Sequence, residues 1–97
     1  MENRVVITGL GAITPIGNNV NEFWTNAKKG VCGIDEITLF DASDYKVKIA
    51  GEVKNFNAED FIDKKEAKRL DRFTHFALAA TEEAMKDAKL ALKDENV

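Results

Sequence analysis

The sequence has a single cysteine, a single histidine and a single proline among its 97 residues. One thiol cannot form an internal disulfide, and one Cys with one His cannot supply the protein ligands of a zinc site. Disulfide scaffolds and zinc folds are therefore excluded, and we expect neither a metal nor a cofactor. With one proline and no Gly/Ser-rich linker, the chain is predicted to be one domain at most.

Long apolar runs are also missing. Short pieces such as VVI fall far below the roughly 18 to 20 apolar residues that a membrane span requires. Residues 1–4 (MENR) lack the apolar stretch and the cleavage site of a secretory signal. We therefore expect a cytoplasmic protein without a membrane segment.

The net charge of −3 conceals an uneven distribution of charged side chains. Residues 64–72 (KKEAKRLDR) hold five basic and two acidic side chains, a charge of +3, so the rest of the chain carries −6. A cationic segment attracts an anionic partner at short range, whereas the acidic remainder repels a long polyanion such as DNA. A small acidic partner is therefore favoured over nucleic acid.

The first third of the chain predicts a strand and then a helix. Residues 4–8 (RVVIT) are β-branched without polar alternation, which is typical of a strand covered on both faces in an α/β sheet. After a glycine-punctuated loop, Asn18 or Asn19 can cap a helix in which residues 20–27 repeat apolar side chains at i, i+3, i+4 and i+7. Gly30 is expected to end this helix.

The remainder predicts a second strand and a helical region. Residues 31–46 read mainly as irregular structure, and residues 47–53 (VKIAGEV) alternate as a strand. Asn57 suits the start of a short helix, and from about Lys65 onward the chain lacks Gly and Pro and is rich in Ala. We expect a long helix there, interrupted near Leu70, whose small side chains allow close packing against a neighbouring element.

These elements define an α/β fold class but not a complete fold. An apolar strand such as residues 4–8 needs a neighbour on each edge and cover on both faces, and an isolated two-stranded sheet is only marginally stable in water. The chain is therefore expected to be one part of a larger fold.

The glycines after the first strand invite comparison with a dinucleotide-binding turn. Gly9 and Gly11 fit the opening of G-x-G-x-x-G, but the third position is Thr14. The following Pro15 restrains Thr14 from helical geometry and so opposes a helix N-terminus directed at a pyrophosphate. We interpret the segment as a tight structural turn.

Cys32 and His75 suggest a nucleophile and its base, but the simpler interpretations are structural. Nothing near Cys32 in the sequence supplies the cation or helix N-terminus that favours a thiolate, so a small packed residue is expected. For His75 a hydrogen-bonded structural role is the default. The large aromatic side chains of the helical regions are expected to fill a core: Phe23, Trp24, Phe73 and Phe76.

The basic residues of segment 64–72 suggest a binding surface. Helical spacing places on one stripe Lys65, Lys68, Arg69 and Arg72, with Lys64 beside them. Like charges on one face repel each other, and bases near a helix start oppose the helix dipole, so an anionic partner would relieve the strain. A solvated basic face is the alternative, and sequence physics alone leaves both open.

Three segments agree in order and spacing with one known family: VVITGLGAITPIGNN, FDASDYKVKIAGEVKNF and KEAKRLDRFTHFALAATEEAM. They closely resemble the opening of the bacterial β-ketoacyl-[acyl-carrier-protein] synthase II family of condensing enzymes. The resemblance covers almost the whole chain, and its FDASDY…AGEV portion is more similar to the type II elongating synthase than to type I.

The resemblance implies a thiolase-like fold, in which two related halves each form a layered α/β/α unit within a cytoplasmic homodimer. Such enzymes elongate acyl chains by decarboxylative condensation with malonyl-acyl carrier protein. Their Cys nucleophile and two His residues lie well beyond residue 97, and neither Cys32 nor His75 matches them. Residues 1–97 are therefore expected to be an N-terminal fragment of the N-terminal half, without catalytic residues and inactive alone.

The same resemblance assigns a binding role to part of the basic segment. Four residues match positions that meet the acidic acyl carrier protein: Lys64, Lys65, Lys68 and Arg69. Where the family reads D-A-G-L near the end of the long helix, this chain has DAKL at residues 87–90, so the helix is expected to run on toward Asn96. The alternatives are a polyketide-type ketosynthase fragment and a small non-enzymatic module that binds an acidic protein through a basic helix.

Overall fold

The computed structural model describes residues 2–90. They group into two compact units, one formed by the segment up to Ala12 together with the chain from Asn57 onward, the other by Ile13–Phe56. The elements in chain order are α1 (Val20–Lys28), β1 (Ile34–Glu36), β2 (Ile49–Gly51), a 3-10 helix (Ala58–Asp60), α2 (Lys64–Arg69) and α3 (Arg72–Ala88). No helix within residues 2–90 is long and apolar enough to cross a membrane.

α1 begins and ends as its sequence predicts. Asn19 is the N-cap, and its side-chain oxygen accepts a hydrogen bond from the Glu22 N–H at 2.7 Å, which satisfies one of the free donors of the first turn. At the other end Gly30 has a left-handed φ of 72°. The amides of Gly30 and Val31 bond back to carbonyls of the last turn, so the glycine terminator is confirmed.

The two strands form an antiparallel hairpin in the Ile13–Phe56 unit. They pair with Asp35 opposite Ala50 at the centre. The predicted strand over 47–53 is confirmed at its centre, but β1 lies in the stretch 31–46 that was expected to be irregular. A three-residue strand with two acidic side chains carries no alternating apolar signal, so its pairing depends on contacts distant in sequence.

The expected strand over residues 4–8 is wrong within the described chain, because no described segment pairs with it. β1 and β2 pair only with each other in a two-stranded sheet. The side chains of Val5 and Ile7 are 95% and 83% exposed. A run of this composition acquires strand structure through neighbours on both edges, and residues 2–90 provide none.

Residues 9–12 lie directly on the backbone of α3. A Cβ added at Gly9 would lie 2.7 Å from the Ala88 nitrogen, and one added at Gly11 would lie 2.7 Å from the Ala80 carbonyl carbon. Only glycine permits such an approach of two backbones. The predicted close packing of the alanine-rich helix against a neighbouring segment is therefore confirmed.

Two acidic side chains of α3 accept hydrogen bonds from backbone amides of residues 9–12. The Leu10 N–H donates to Asp87 Oδ2 and the Ala12 N–H donates to Glu83 Oε1, each at 3.0 Å. The glycines thus supply the close approach, while the residues between and after them supply the hydrogen bonds. This pairing joins positions more than 70 residues apart, and no local pattern in the sequence marks it.

The helical region is interrupted at the predicted place. Leu70 has extended backbone angles (φ −106°, ψ 145°), and it separates α2 from α3. α3 ends at Ala88, with Lys89 in a left-handed conformation (φ 59°) and the Leu90 N–H bonded to the Met85 carbonyl at 3.0 Å. The expected continuation of the helix is therefore wrong at Lys89, because this closure forms even without glycine. Asn96 lies outside the described residues.

The aromatic side chains do not form the expected core. Trp24 and Phe73 are 57% and 72% exposed, and Phe23 and Phe76 are half-buried. Within residues 2–90 the buried hydrophobic residues are two alanines. The core assignment is wrong for Trp24 and Phe73, because so short a chain has too little surface to cover them.

Candidate functional site

α2 carries the candidate site. The four residues singled out by the sequence are all on this six-residue helix, and all are exposed. At 100° per residue they span about 140° of the helix circumference. These residues form the basic face: Lys64, Lys65, Lys68 and Arg69. The half-buried Ala67 lies outside this arc, about 60° from Lys64.

The basic face has no ion-pair partner in the part of the chain that the structure describes. Within residues 2–90 none of its four side chains forms an ion pair, and Glu66 is the sole acid on α2. Because α2 ends at Arg69, the cations of Lys68 and Arg69 lie in its last turn, where the helix dipole favours positive charge. The expectation that the whole stripe opposes the dipole is therefore wrong for these two residues, and holds for Lys64 and Lys65 in the first turn.

Arg72 does not belong to the basic face. The extended Leu70 breaks the helix before it, so Arg72 opens α3 instead of continuing the stripe of α2. Its guanidinium carbon lies 4.9 Å from the centroid of the Phe76 ring, within cation–π range. The predicted four-residue stripe ending at Arg72 is thus corrected.

His75 has the structural role that the sequence predicts. Its Nε2 atom lies 2.8 Å from the carbonyl oxygen of Ala67, and because a carbonyl can only accept, His75 is the donor. The bond connects the first turns of α3 to the last turn of α2. The imidazole of His75 is therefore engaged in a hydrogen bond to α2.

Cys32 is exposed, so the expectation of a packed residue is wrong. Its thiol sulfur lies 3.7 Å from the Ile34 carbonyl oxygen, a local contact at the start of β1. Cys32 and His75 belong to different units and have different partners. Among residues 2–90 no three His, Cys, Asp or Glu side chains form a group that could hold a metal ion.

The predicted tight turn forms at residues 14–17, whereas Gly9 and Gly11 precede it and lie against α3. The Thr14 N–H donates to the Gly17 carbonyl at 2.8 Å and the Gly17 N–H returns a bond to the Thr14 carbonyl at 3.2 Å. The Thr14 hydroxyl also accepts from the Ile16 N–H. These bonds satisfy the backbone of the turn internally, so it is not the opening of a phosphate-binding helix.

Glu52 is a structural carboxylate that sequence reasoning missed. It accepts the Thr38 hydroxyl at 2.8 Å and the amides of Thr38 and Leu39 at 3.2 Å. The bond from the Thr38 hydroxyl is the main cause that lowers the pKa of Glu52, and the two amides add to it. The carboxylate, which follows β2, therefore bonds the first part of the loop between β1 and β2.

The backbone of the chain is that of a ketosynthase segment. The ishigamide ketosynthase/chain length factor matches with a TM-score of 0.81 and 32% identity, covering 92% of this chain and 22% of that one. A second structure, AntDE:AntF, a type II PKS acyl-carrier protein in complex with its ketosynthase, matches with a TM-score of 0.74 and 26% identity over 99% of this chain and 25% of that one. The expected fold class is thereby supported at the level of a partial ketosynthase fold.

Residues 2–96 match the family described as "Beta-ketoacyl synthase, N-terminal domain", and the chain belongs to this family. Its relatives include 3-oxoacyl-[acyl-carrier-protein] synthase 2 of Staphylococcus aureus (strain N315), 62% identical over 91 residues, 94% of this chain. The same-named protein of Synechocystis sp. (strain ATCC 27184 / PCC 6803 / Kazusa) is 54% identical over 95 residues, 98% of this chain. The chain spans 22% and 23% of the lengths of these two relatives. The family resemblance seen in the sequence is confirmed.

Proposed function

We propose that the chain is the N-terminal segment of a condensing enzyme that elongates acyl chains on acyl carrier protein by decarboxylative condensation with malonyl-acyl carrier protein. In this proposal the segment contributes part of the surface that receives the carrier protein. Family membership and relatives named 3-oxoacyl-[acyl-carrier-protein] synthase 2 support the reaction class.

The observation that carries the docking role is the exposed basic face on α2. It presents four cations that form no ion pair within residues 2–90, on a chain whose net charge is −3. Exposed like charges of this kind steer an oppositely charged protein during diffusional encounter. An acidic carrier protein is the partner that such a face would attract, and a long nucleic acid would meet repulsion from the acidic remainder.

A structural relative supports the same partner class. The AntDE:AntF structure contains an acyl-carrier protein in complex with its ketosynthase. We propose that this chain takes part in a contact of that kind through Lys64, Lys65, Lys68 and Arg69. The proposal assigns no catalytic residue to the chain, because the Cys nucleophile and the two His of the family match none of its positions.

The architecture and oligomeric state proposed for the complete enzyme follow from the family resemblance. The complete enzyme is proposed to be a cytoplasmic homodimer with the layered α/β/α architecture of thiolase-like proteins, of which residues 1–97 are the start of the N-terminal half. The exposed apolar segment at residues 4–8 supports this, because a buried parallel sheet would supply the neighbours that it lacks here.

Two alternative functions are less well supported. A polyketide ketosynthase fragment is suggested by the names of the structural relatives, but those are 32% and 26% identical, against 62% for the synthase of Staphylococcus aureus. A non-enzymatic binding module is disfavoured because residues 2–96 match an enzyme domain family along almost their whole length.

Charge reversal on the basic face tests the docking role. In the full-length protein we expect Lys65→Glu, Lys68→Glu and Arg69→Glu together to slow association with holo-acyl carrier protein about tenfold to hundredfold at low salt, because steering would turn into repulsion. The difference should shrink as salt rises and screens the charges. Surface plasmon resonance at several salt concentrations measures both effects.

The matched control makes the same change of charge away from α2. Lys28→Glu, Lys29→Glu and Lys46→Glu together alter three exposed lysines of the other unit. We expect this variant to associate close to the wild-type rate. Equal slowing in the two triple variants, or unchanged affinity of the basic-face variant at low salt, contradicts the docking role.

A further inference from the structure

α2 is too short to fix its own orientation. It has six residues, its N-cap Asp63 makes no side-chain cap bond, and it ends directly in the extended Leu70. Isolated helices of this length are unstable in water, because nucleation costs more than one turn of hydrogen bonds returns. The direction in which the basic face is presented must therefore be set by contacts with the rest of the unit.

The bond between His75 and Ala67 is a direct polar connection from α3 to α2. The Ala67 carbonyl has only a long bond from within the helix end, the Leu70 N–H at 3.4 Å, whereas His75 Nε2 approaches to 2.8 Å. Ala67 precedes Lys68 and Arg69 immediately in sequence. The imidazole thus satisfies a carbonyl of the last turn that the break at Leu70 would leave poorly bonded.

The backbone of His75 is part of a long, regular helix. Its amide donates to the Asp71 carbonyl at 3.2 Å, within the first turn of the 17-residue α3. The side chain is half-buried, in contrast to the exposed residues of the basic face. A donor on a long helix therefore bonds a backbone carbonyl of the last turn of the short helix.

We infer that His75 is a positioning residue for carrier-protein docking, holding α2 in the orientation in which the basic face fits its partner. The inference rests on the proposed function. His75 lies on α3 and not on the basic face, so its loss should leave the four cations of α2 in place and diffusional steering intact. It should instead loosen the docked complex, which makes its effect different in kind from that of Lys65 or Arg69.

The test compares five forms of the full-length protein binding to holo-acyl carrier protein: wild type, three His75 variants and the basic-face triple variant. His75→Leu keeps the bulk of the side chain and removes the donor, and we expect dissociation about three- to tenfold faster with nearly unchanged association and salt dependence. His75→Gln places an amide donor near the position of Nε2 and should restore much of the wild-type dissociation rate. His75→Asn is polar but too short and should behave as His75→Leu.

The outcomes separate the inference from the proposed function. Faster dissociation of the His75→Leu and His75→Asn variants, with a nearly wild-type rate for His75→Gln, supports the positioning role. Wild-type dissociation in all three variants, while the basic-face triple variant loses association, overturns the inference and leaves docking through α2 standing. Equal weakening in all three overturns the inference as well, and no effect from any variant, the basic-face triple included, overturns both. Should His75→Leu fail to fold, the comparison of Gln with Asn distinguishes the same outcomes.

Discussion

Replacing Gly11 with alanine tests whether the N-terminal segment rests on α3 through backbone contact. The added Cβ would lie 2.7 Å from the Ala80 carbonyl carbon and 3.1 Å from the Ala84 nitrogen, where ordinary contacts begin at 3.4 Å. Both atoms belong to the backbone of a continuous helix, which cannot retreat locally. The Ala80 carbonyl oxygen would lie closer still, so the segment must lift from α3 by more than about 0.7 Å.

The expected loss of stability has two sources. Forcing apart a packed contact costs about 1–3 kcal/mol. The displacement also weakens the half-buried hydrogen bond from the Ala12 N–H to Glu83, worth about 1 kcal/mol. We expect Gly11→Ala to lower the free energy of unfolding by about 2–4 kcal/mol.

The measurements are denaturant unfolding of the full-length protein and amide hydrogen exchange at Leu10 and Ala12. Gly30→Ala is the matched control, since its Cβ would meet nothing within 4 Å and its cost, from the positive φ of 72°, should be about 1 kcal/mol. If Gly11→Ala costs no more than Gly30→Ala, or if exchange at Leu10 and Ala12 is unchanged, the packing argument is refuted.

Two further substitutions test the end of α3 and the hairpin loop. Lys89→Gly should raise the free energy of unfolding by about 1 kcal/mol, because glycine adopts the left-handed φ of 59° without strain; thermal unfolding measures this, and a lower midpoint would contradict it. Glu52→Gln should destabilise at neutral pH. Because the folded-state pKa of Glu52 is lowered, its contribution is present above its ordinary value of 4.5 and is lost as pH falls through the folded pKa. Urea midpoints of variant and wild type should therefore converge at acid pH, and a constant gap would refute the role of the ionised carboxylate.

The features predicted correctly from sequence depend on neighbouring residues. Asn19 caps α1 through the Glu22 amide three residues on, and Gly30 closes the helix through residues of its last turn. The cluster of basic residues was visible for the same reason, because four of them fall within six consecutive positions. Composition and order along the chain were also enough to identify the family, which the comparisons confirm.

Two errors arose where the outcome depends on distant segments, and a third, at the end of α3, has a local cause. A strand was expected at residues 4–8, yet a strand exists only with a paired neighbour, and residues 2–90 offer none. Trp24 was expected in a core for its size alone, although burial requires other chain to cover it. The left-handed Lys89 shows that a favourable pair of closing bonds can end a helix where propensity predicts continuation.

Sequence by itself determined which charges α2 carries and where the helical region breaks, because both follow from residues adjacent in the chain. The tertiary structure decided how α2 is held, because His75 of α3 bonds the Ala67 carbonyl across the break at Leu70. It also decided that Glu83 and Asp87 hold the N-terminal segment. These contacts join residues far apart in the chain, so they are determined by the path of the backbone through space and not by local propensity.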